Sequence, residues 1–259
     1  MNMSFYTGAV GAYMQNQRMN VQANNIANVN NYGYKAERAT FHHLMYGNVT
    51  GIDQERLPKG SGTKMVKASI DYEPGGYADT GRLFDFAITG NGFFALYDPA
   101  DGEITFTRDG AFMMARFEVP PPEDAEPEID PVTGEEIEPQ PTEVWRLSDN
   151  EGRCVLDSRG NFIEIDPMDR EAELDIGVFD YRIYDGMQHV DSGRFLPVDK
   201  NGDLYLGTGK VQRGMLETSN VDLAQEFVKV IESQRAYSYA LRMVQTTDEI
   251  EQTINGLRG

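Results

Sequence analysis

Residues 220–244, NVDLAQEFVKVIESQRAYSYALRMV, decide how this chain is built. Leu223, Phe227, Val230, Gln234, Tyr237, Leu241 and Val244 recur at alternating steps of four and three, which sets them along one narrow seam of a helix. At the other end Phe5, Ala9, Ala12, Asn16, Met19, Ala23 and Ile26 repeat the same alternation. The two ends therefore carry matching stripes, each interrupted by one amide, Asn16 or Gln234. A polar group at such a position fixes register and partner number at a cost in stability. The C-terminal helix, roughly 55 Å long at 1.5 Å per residue, outruns an N-terminal partner of roughly 36 Å, so part of the seam is expected to meet another chain.

The ends of these helices are marked. Ser219 and Asn220 precede the C-terminal pattern and Asp222 falls in its first turn, where a carboxylate meets free N–H groups and the positive end of the helix dipole. Asn28, Asn30, Asn31 and Gly33 tolerate left-handed backbone angles and stop the first helix near Val29. Beyond Val244 the apolar spacing changes phase, with Ile250, Ile254 and Leu257 on a new line, which predicts a bend, a stutter or fraying.

Between the helices the pattern changes twice. Gly47, Gly51, Pro58, Gly60 and Gly62 interrupt residues 34–63, which read as a linker or extended loop. From Lys64 to Leu216 short alternating runs, such as Phe93–Tyr97 and Ile104–Arg108, are separated by Asp109-Gly110, Arg159-Gly160-Asn161 and Asn201-Gly202-Asp203, the dipeptides and tripeptides of tight hairpins. The expected fold is α+β: helices from 1–33 and 217–259 pairing as a coiled-coil-like stalk, and a mainly antiparallel β domain over 64–216. An insert at 119–142 holds seven of the twelve prolines, and residues 118–143 hold ten Asp or Glu and no Lys or Arg. Such a segment has little to bury and repels itself, so it is expected to be an exposed excursion between strands.

With 259 residues and 40% hydrophobic content the chain can bury a sizeable core. A net charge of −19 and a pI near 4.5 exclude nucleic acid or an anionic bilayer as the main partner. No apolar run is long enough for membrane insertion, and no charged-then-apolar leader precedes the first helix, so no cleaved signal is expected. The one cysteine, Cys154, permits no internal disulfide and reads as a small buried side chain.

Searches for chemistry fail one after another. Asp199-Lys-Asn201-Gly-Asp203 starts like a calcium loop, but its glycine is fourth, Leu204 takes the sixth place and Lys210 the twelfth. His42 and His43 are adjacent and His189 is remote, which leaves no zinc set. No G-x-S-x-G, P-loop or H-E-x-x-H occurs. No catalytic residue, cofactor or metal site is expected. Ala87-Ile-Thr-Gly90-Asn-Gly92-Phe-Phe94 and Thr105-Phe-Thr-Arg108-Asp-Gly110 read as packing features of the sheet.

Four blocks taken together resemble the flagellar rod and hook family of bacterial axial proteins: Ala23-Asn-Asn-Ile-Ala-Asn28 with Tyr32-Gly-Tyr-Lys35; Phe86-Ala-Ile-Thr-Gly-Asn-Gly-Phe-Phe94; Phe106-Thr-Arg-Asp-Gly110; and Gly214-Met-Leu-Glu-Thr-Ser-Asn-Val-Asp222 with Gln234-Arg-Ala-Tyr237. The second and third blocks, with the absence of a large extra domain, look more like the distal and proximal rod proteins than the hook protein. Asn31 departs from the threonine usual before the Tyr-Gly, and the acidic insert is not a family feature. The resemblance implies a structural subunit, exported unfolded through the flagellar export apparatus and polymerised with copies of itself and other axial proteins into a rod across the periplasm. The fourteen seam residues are then the expected polymer interface. A secreted enzyme acting on cell-wall glycan, or an adhesin, with coiled-coil ends stays open as the second reading.

Overall fold

The computed structural model describes residues 3–44, 47–50, 56–59, 62–120, 128–129, 136–137, 142–169, 172–190 and 193–257. In chain order the elements are α1 (Met3–Ala27), β1 (Glu37–His43), β2 (Gly47–Thr50), β3 (Arg56–Lys59), β4 (Thr63–Ile70), β5 (Tyr77–Asp79), β6 (Phe86–Thr89), β7 (Phe93–Tyr97), β8 (Ile104–Thr107), β9 (Met113–Val119), β10 (Glu128–Ile129), β11 (Glu136–Ile137), β12 (Thr142–Ser148), β13 (Cys154–Val155), β14 (Val178–Tyr181), β15 (Gln188–Val190), β16 (Arg194–Leu196), β17 (Leu204–Leu206), β18 (Lys210–Arg213), β19 (Met215–Glu217) and α2 (Leu223–Gly256). The class is α+β. Every pairing among the described strands is antiparallel.

The chain divides into two compact units, one of residues 1–73 with 219–259 and the other of residues 74–218. The first contains both helices. It also contains the β1–β4 pair, in register from Glu37↔Ile70 to His43↔Thr63, and the hairpin β2–β3. The stretch read as a linker over 34–63 is thus largely strand, and the run from Lys64 belongs with the helices. The misreading has a cause: in Glu37–His43 burial does alternate, but Ala39 and Phe41 are its only apolar members, too few to register as a strand beside so many turn residues.

The second unit is built on one sheet, ordered β15-β16-β8-β7-β13-β12-β9, with β14 joined to β7 and β17. Its core gathers Phe86, Ile88, Phe94, Leu96, Phe112, Leu147, Val155, Ile163, Ile165, Ile176 and Val178. Around Asn161–Ile165 the chain forms only isolated bridges, Leu156↔Phe162 and Arg146↔Glu164. Gly160 and Gly202 have the positive φ that their turns require, 85° and 82°. Gly110 does not. It is glycine because a Cβ there would stand 1.7 Å from the Phe86 carbonyl oxygen, so the β6 backbone crosses where a side chain would be. Cys154 is buried, as read from the sequence. Of the acidic insert, β10 and β11 pair with each other, and residues 121–127, 130–135 and 138–141 lie outside the described residues.

α1 ends at Ala27, where the Asn28 amide donates from its side chain to the Asn24 carbonyl at 2.9 Å. Asp222 is the N-cap of α2, its Oδ1 accepting from the N–H groups of Ala224 at 2.9 Å and Gln225 at 3.2 Å. α2 then runs unbroken to Gly256. The phase change after Val244 moves the apolar stripe to another side of the helix instead of ending it.

Candidate assembly face on the terminal helices

α1 and α2 lie side by side in opposite directions. A Cβ on Gly8 would stand 3.0 Å from Val244 Cγ2 and 3.4 Å from the Ala240 carbonyl, and one on Gly11 would stand 3.9 Å from Ala240 Cβ. At the other end Asn220, just before α2, reaches Ala36, nine residues past the end of α1. The line of α2 that is buried is Glu226, Ser233 and Thr247, with Ala240 half-buried between them. The helices come closest where Gly8 faces Ala240 and Val244, and a side chain on Gly8 would crowd both.

The seam read from the sequence is offset from that line, and it divides. On α1, Ala12 is buried and Met19 and Ile26 are half-buried, while Phe5, Ala9, Asn16 and Ala23 are exposed. On α2, Val230, Tyr237 and Val244 are half-buried, while Leu223, Phe227, Gln234 and Leu241 are exposed. Three seam residues of each helix turn inward and four turn out. At 100° per residue the two outward sets lie on the same side of the antiparallel pair, giving one two-helix face that carries both amides. Phe227 there is 50% exposed and Leu241 39%. The inward packing is itself incomplete: Gln15 Oε1, Gln22 Oε1 and Glu226 Oε2 are buried with no hydrogen-bond partner among the described residues.

Two asparagines tie the helices to the strands. Asn25 Nδ2 donates to the Glu37 carbonyl at 2.8 Å, and its Oδ1 accepts from the Glu37 N–H at 2.9 Å and from the Tyr34 hydroxyl at 3.1 Å. Asn220 Oδ1 accepts from the Ala36 N–H at 2.7 Å, and its Nδ2 donates to the carbonyls of Asp71 at 2.8 Å and Glu73 at 3.0 Å. Lys35, fully buried, donates to the Glu73 carbonyl at 2.9 Å. Burial, then the nearby Glu37 carboxylate, pushes the Tyr34 hydroxyl up to about 12. These residues come from the first and last of the four sequence blocks, so those blocks encode a clasp as well as helix ends.

The other two blocks meet inside the second unit. Arg108 donates to Glu217 Oε2 at 3.0 Å, to the Ile88 carbonyl at 3.3 Å and to the Gly90 carbonyl at 2.7 Å, with its guanidinium 5.4 Å from the Phe93 ring centroid. Glu217 Oε1 accepts from the Gly75 N–H at 3.1 Å. In the sequence this pair is visible only as members of two separate motifs. Among the described residues no group of three or more His, Cys, Asp or Glu is placed to hold a metal ion, and no helix is long and apolar enough to cross a membrane.

Comparison with known proteins bears on what such a face is for. The family described as the C-terminal region of flagellar basal body rod FlgEFG proteins matches residues 212–257. Over 273 residues, 98% of this chain and 96% of the relative, the sequence is 30% identical to the flagellar basal-body rod protein FlgF of Caulobacter vibrioides. It is 29% identical to FlgG of Buchnera aphidicola subsp. Schizaphis graminum, covering 98% and 99% of the two chains, and 27% identical to FlgG of Bacillus subtilis, covering 98% of each.

Proposed function

We propose that this chain, which belongs to the flagellar basal-body rod protein family, builds its polymer through the outward half of the helical seam. It is a structural subunit of the rod and not an enzyme. The secreted-enzyme or adhesin reading has no support among the relatives.

The observation that carries the interface is the division of the seam. Phe5, Ala9, Ala12, Asn16, Met19, Ala23 and Ile26, with Leu223, Phe227, Val230, Gln234, Tyr237, Leu241 and Val244, form one repeat, yet the chain's own helices cover only part of it. In the assembly, neighbouring copies and other axial proteins complete the seam in coiled-coil fashion. Asn16 and Gln234 then find amide partners that fix the register. A heterologous contact of this kind, repeated with a rotation that does not close, generates a helical tube. Delivery fits the same picture: the flagellar export apparatus takes the chain without cleaving a signal, and the terminal helices complete their packing on joining the rod.

Leu241→Asp tests the reading, because it places a charge in the completed seam without touching the second unit. The variant is expected to be secreted, to show wild-type thermal unfolding by Trp145 fluorescence, and to build no rod. Motile cells carrying it would show that this face is not the polymer interface.

A further inference from the structure

We propose that a cavity in the second unit, which has no part in the helical seam, binds an organic cation at Asp85: an ammonium or guanidinium carried on an aliphatic stem. The cavity, about 300 Å³, is lined by residues 82–85 and 111–114 together with Asn150. That is the lower end of the size range of small-molecule sites, and roughly ten times the share of volume that one water takes in the liquid.

Asp85 is 2% exposed, and its Oδ2 is the one buried carboxylate oxygen of this unit that lacks a hydrogen-bond partner among the described residues. Its backbone is pinned. The Asp85 carbonyl accepts from the Gly214 N–H at 2.7 Å, and on either side of the Asp85–Ala111 bridge the Phe86 and Phe112 N–H groups donate to the carbonyls of Gly110 at 3.0 Å and Phe84 at 3.2 Å. A carboxylate held out of water with a free oxygen is costly, and a charged donor bound to it offsets that cost. Neither described cation near it supplies one. Arg82, the one cation of the lining, is exposed and does not reach that oxygen, and Arg213 donates to the carbonyls of Leu83 at 2.7 Å and Ala172 at 3.2 Å.

The surroundings select the ligand. Asp109, Asp149, Glu151 and Arg194 line an adjoining cavity that shares Ala111, Phe112 and Asn150 with this one. Burial pushes the Asp109 carboxyl up, the Ala111 N–H opposes it, and the charges of Asp85 and Asp149 add to it, so three carboxylates act on one region. Arg153 engages Asp149 and Glu151, and Asp109 accepts from the Ala111 N–H, which leaves Asp85 as the acid still short of a donor. Among the described residues no group of three or more His, Cys, Asp or Glu is placed to hold a metal ion, so the cation that fits is an organic one. Leu83 and Met113, each 43% exposed, and Met114 give it apolar walls for an alkyl stem.

The experiment uses the unpolymerised full chain with isotope-labelled methionine methyl groups and two probes, n-pentylammonium and the neutral n-pentanol. Pentylammonium is expected to shift the Met113 and Met114 methyl resonances saturably, and n-pentanol to bind at least tenfold more weakly. Asp85→Asn, with unfolding by Trp145 fluorescence like the wild type, is expected to weaken pentylammonium at least tenfold. Equal binding of the two probes, no shift at either methionine, or undiminished binding to Asp85→Asn overturns the inference, and the comparison of probes needs no variant to fold. The source of the cation in cells is read with p-benzoylphenylalanine at Met113. A protein adduct abolished by Asp85→Asn assigns the cation to a side chain of a neighbouring protein, and pentylammonium binding without an Asp85-dependent adduct assigns it to a free amine.

Discussion

Arg108 and Glu217 are 109 residues apart in the chain and 3.0 Å apart in the fold, with side chains 4% and 0% exposed. Removing one partner strands the other charge where water cannot reach it. Arg108→Ala is expected to destabilise the second unit by about 3–5 kcal/mol. Replacing both with apolar residues of similar volume, Arg108→Met with Glu217→Leu, is expected to cost much less. Urea titrations followed by Trp145, the chain's only tryptophan, read the double-mutant cycle. Single and double variants of equal stability would mean that the pair does not hold this unit.

Asn220→Ala removes three hydrogen bonds at once, to Ala36, Asp71 and Glu73. At about 1 kcal/mol each, the first unit is expected to lose about 2–3 kcal/mol. Hydrogen exchange should speed up at the Ala36 amide and along β1, while Trp145 reports an unchanged second unit. Unaltered exchange at Ala36 would remove the asparagine from its role as clasp.

Tyr34 makes the first unit sensitive to alkali in a defined direction. Its hydroxyl is held up at about 12 against 10.0 when unfolded, so the folded state keeps the proton longer. The stabilisation is complete below pH 10 and is lost as pH rises from about 10 to about 12, an upper limit of about 2–3 kcal/mol. Tyr34→Phe cannot titrate. Helical circular dichroism during urea unfolding should show a steeper alkaline loss for the wild type than for the variant, and equal slopes would contradict the assignment.

Two glycines separate two reasons for being glycine. Gly110→Ala forces a Cβ against the Phe86 carbonyl and is expected to cost more than about 3 kcal/mol through displacement of β6. Gly152 has φ 85° and open space around it, so Gly152→Ala is expected to cost only about 1–2 kcal/mol from left-handed strain. Melting temperatures of the two variants decide the point, and reversed order would refute it.

The four-three spacing made both helices and their shared repeat legible, and Asp222 announced the start of α2. Which side of each helix would turn inward was not legible. Hydrophobicity marks large side chains, but two helices in close contact need small ones, so Gly8, Gly11 and Ala240 line the contact while Phe227 and Leu241 face out. Glu226, Ser233 and Thr247, buried at intervals of seven and fourteen residues, carry no apolar signal in the sequence for the same reason. Strands with several large apolar residues, such as Phe93–Tyr97, were readable; Glu37–His43 was not, because Ala39 and Phe41 are its only apolar members. Arg108 and Glu217 could be read only as motif members, since a salt bridge across 109 residues leaves no local trace.

The span between Ala36 and Asn220, 184 residues, also sets what each unit needs before it can close. Residues 74–218 contain all the described strand partners of their own unit and precede α2 in the chain. The first unit, although it contains the first residues synthesised, waits for the last ones. The two-helix face therefore needs both ends of the chain, and a chain cut short before residue 220 carries only the α1 half of it.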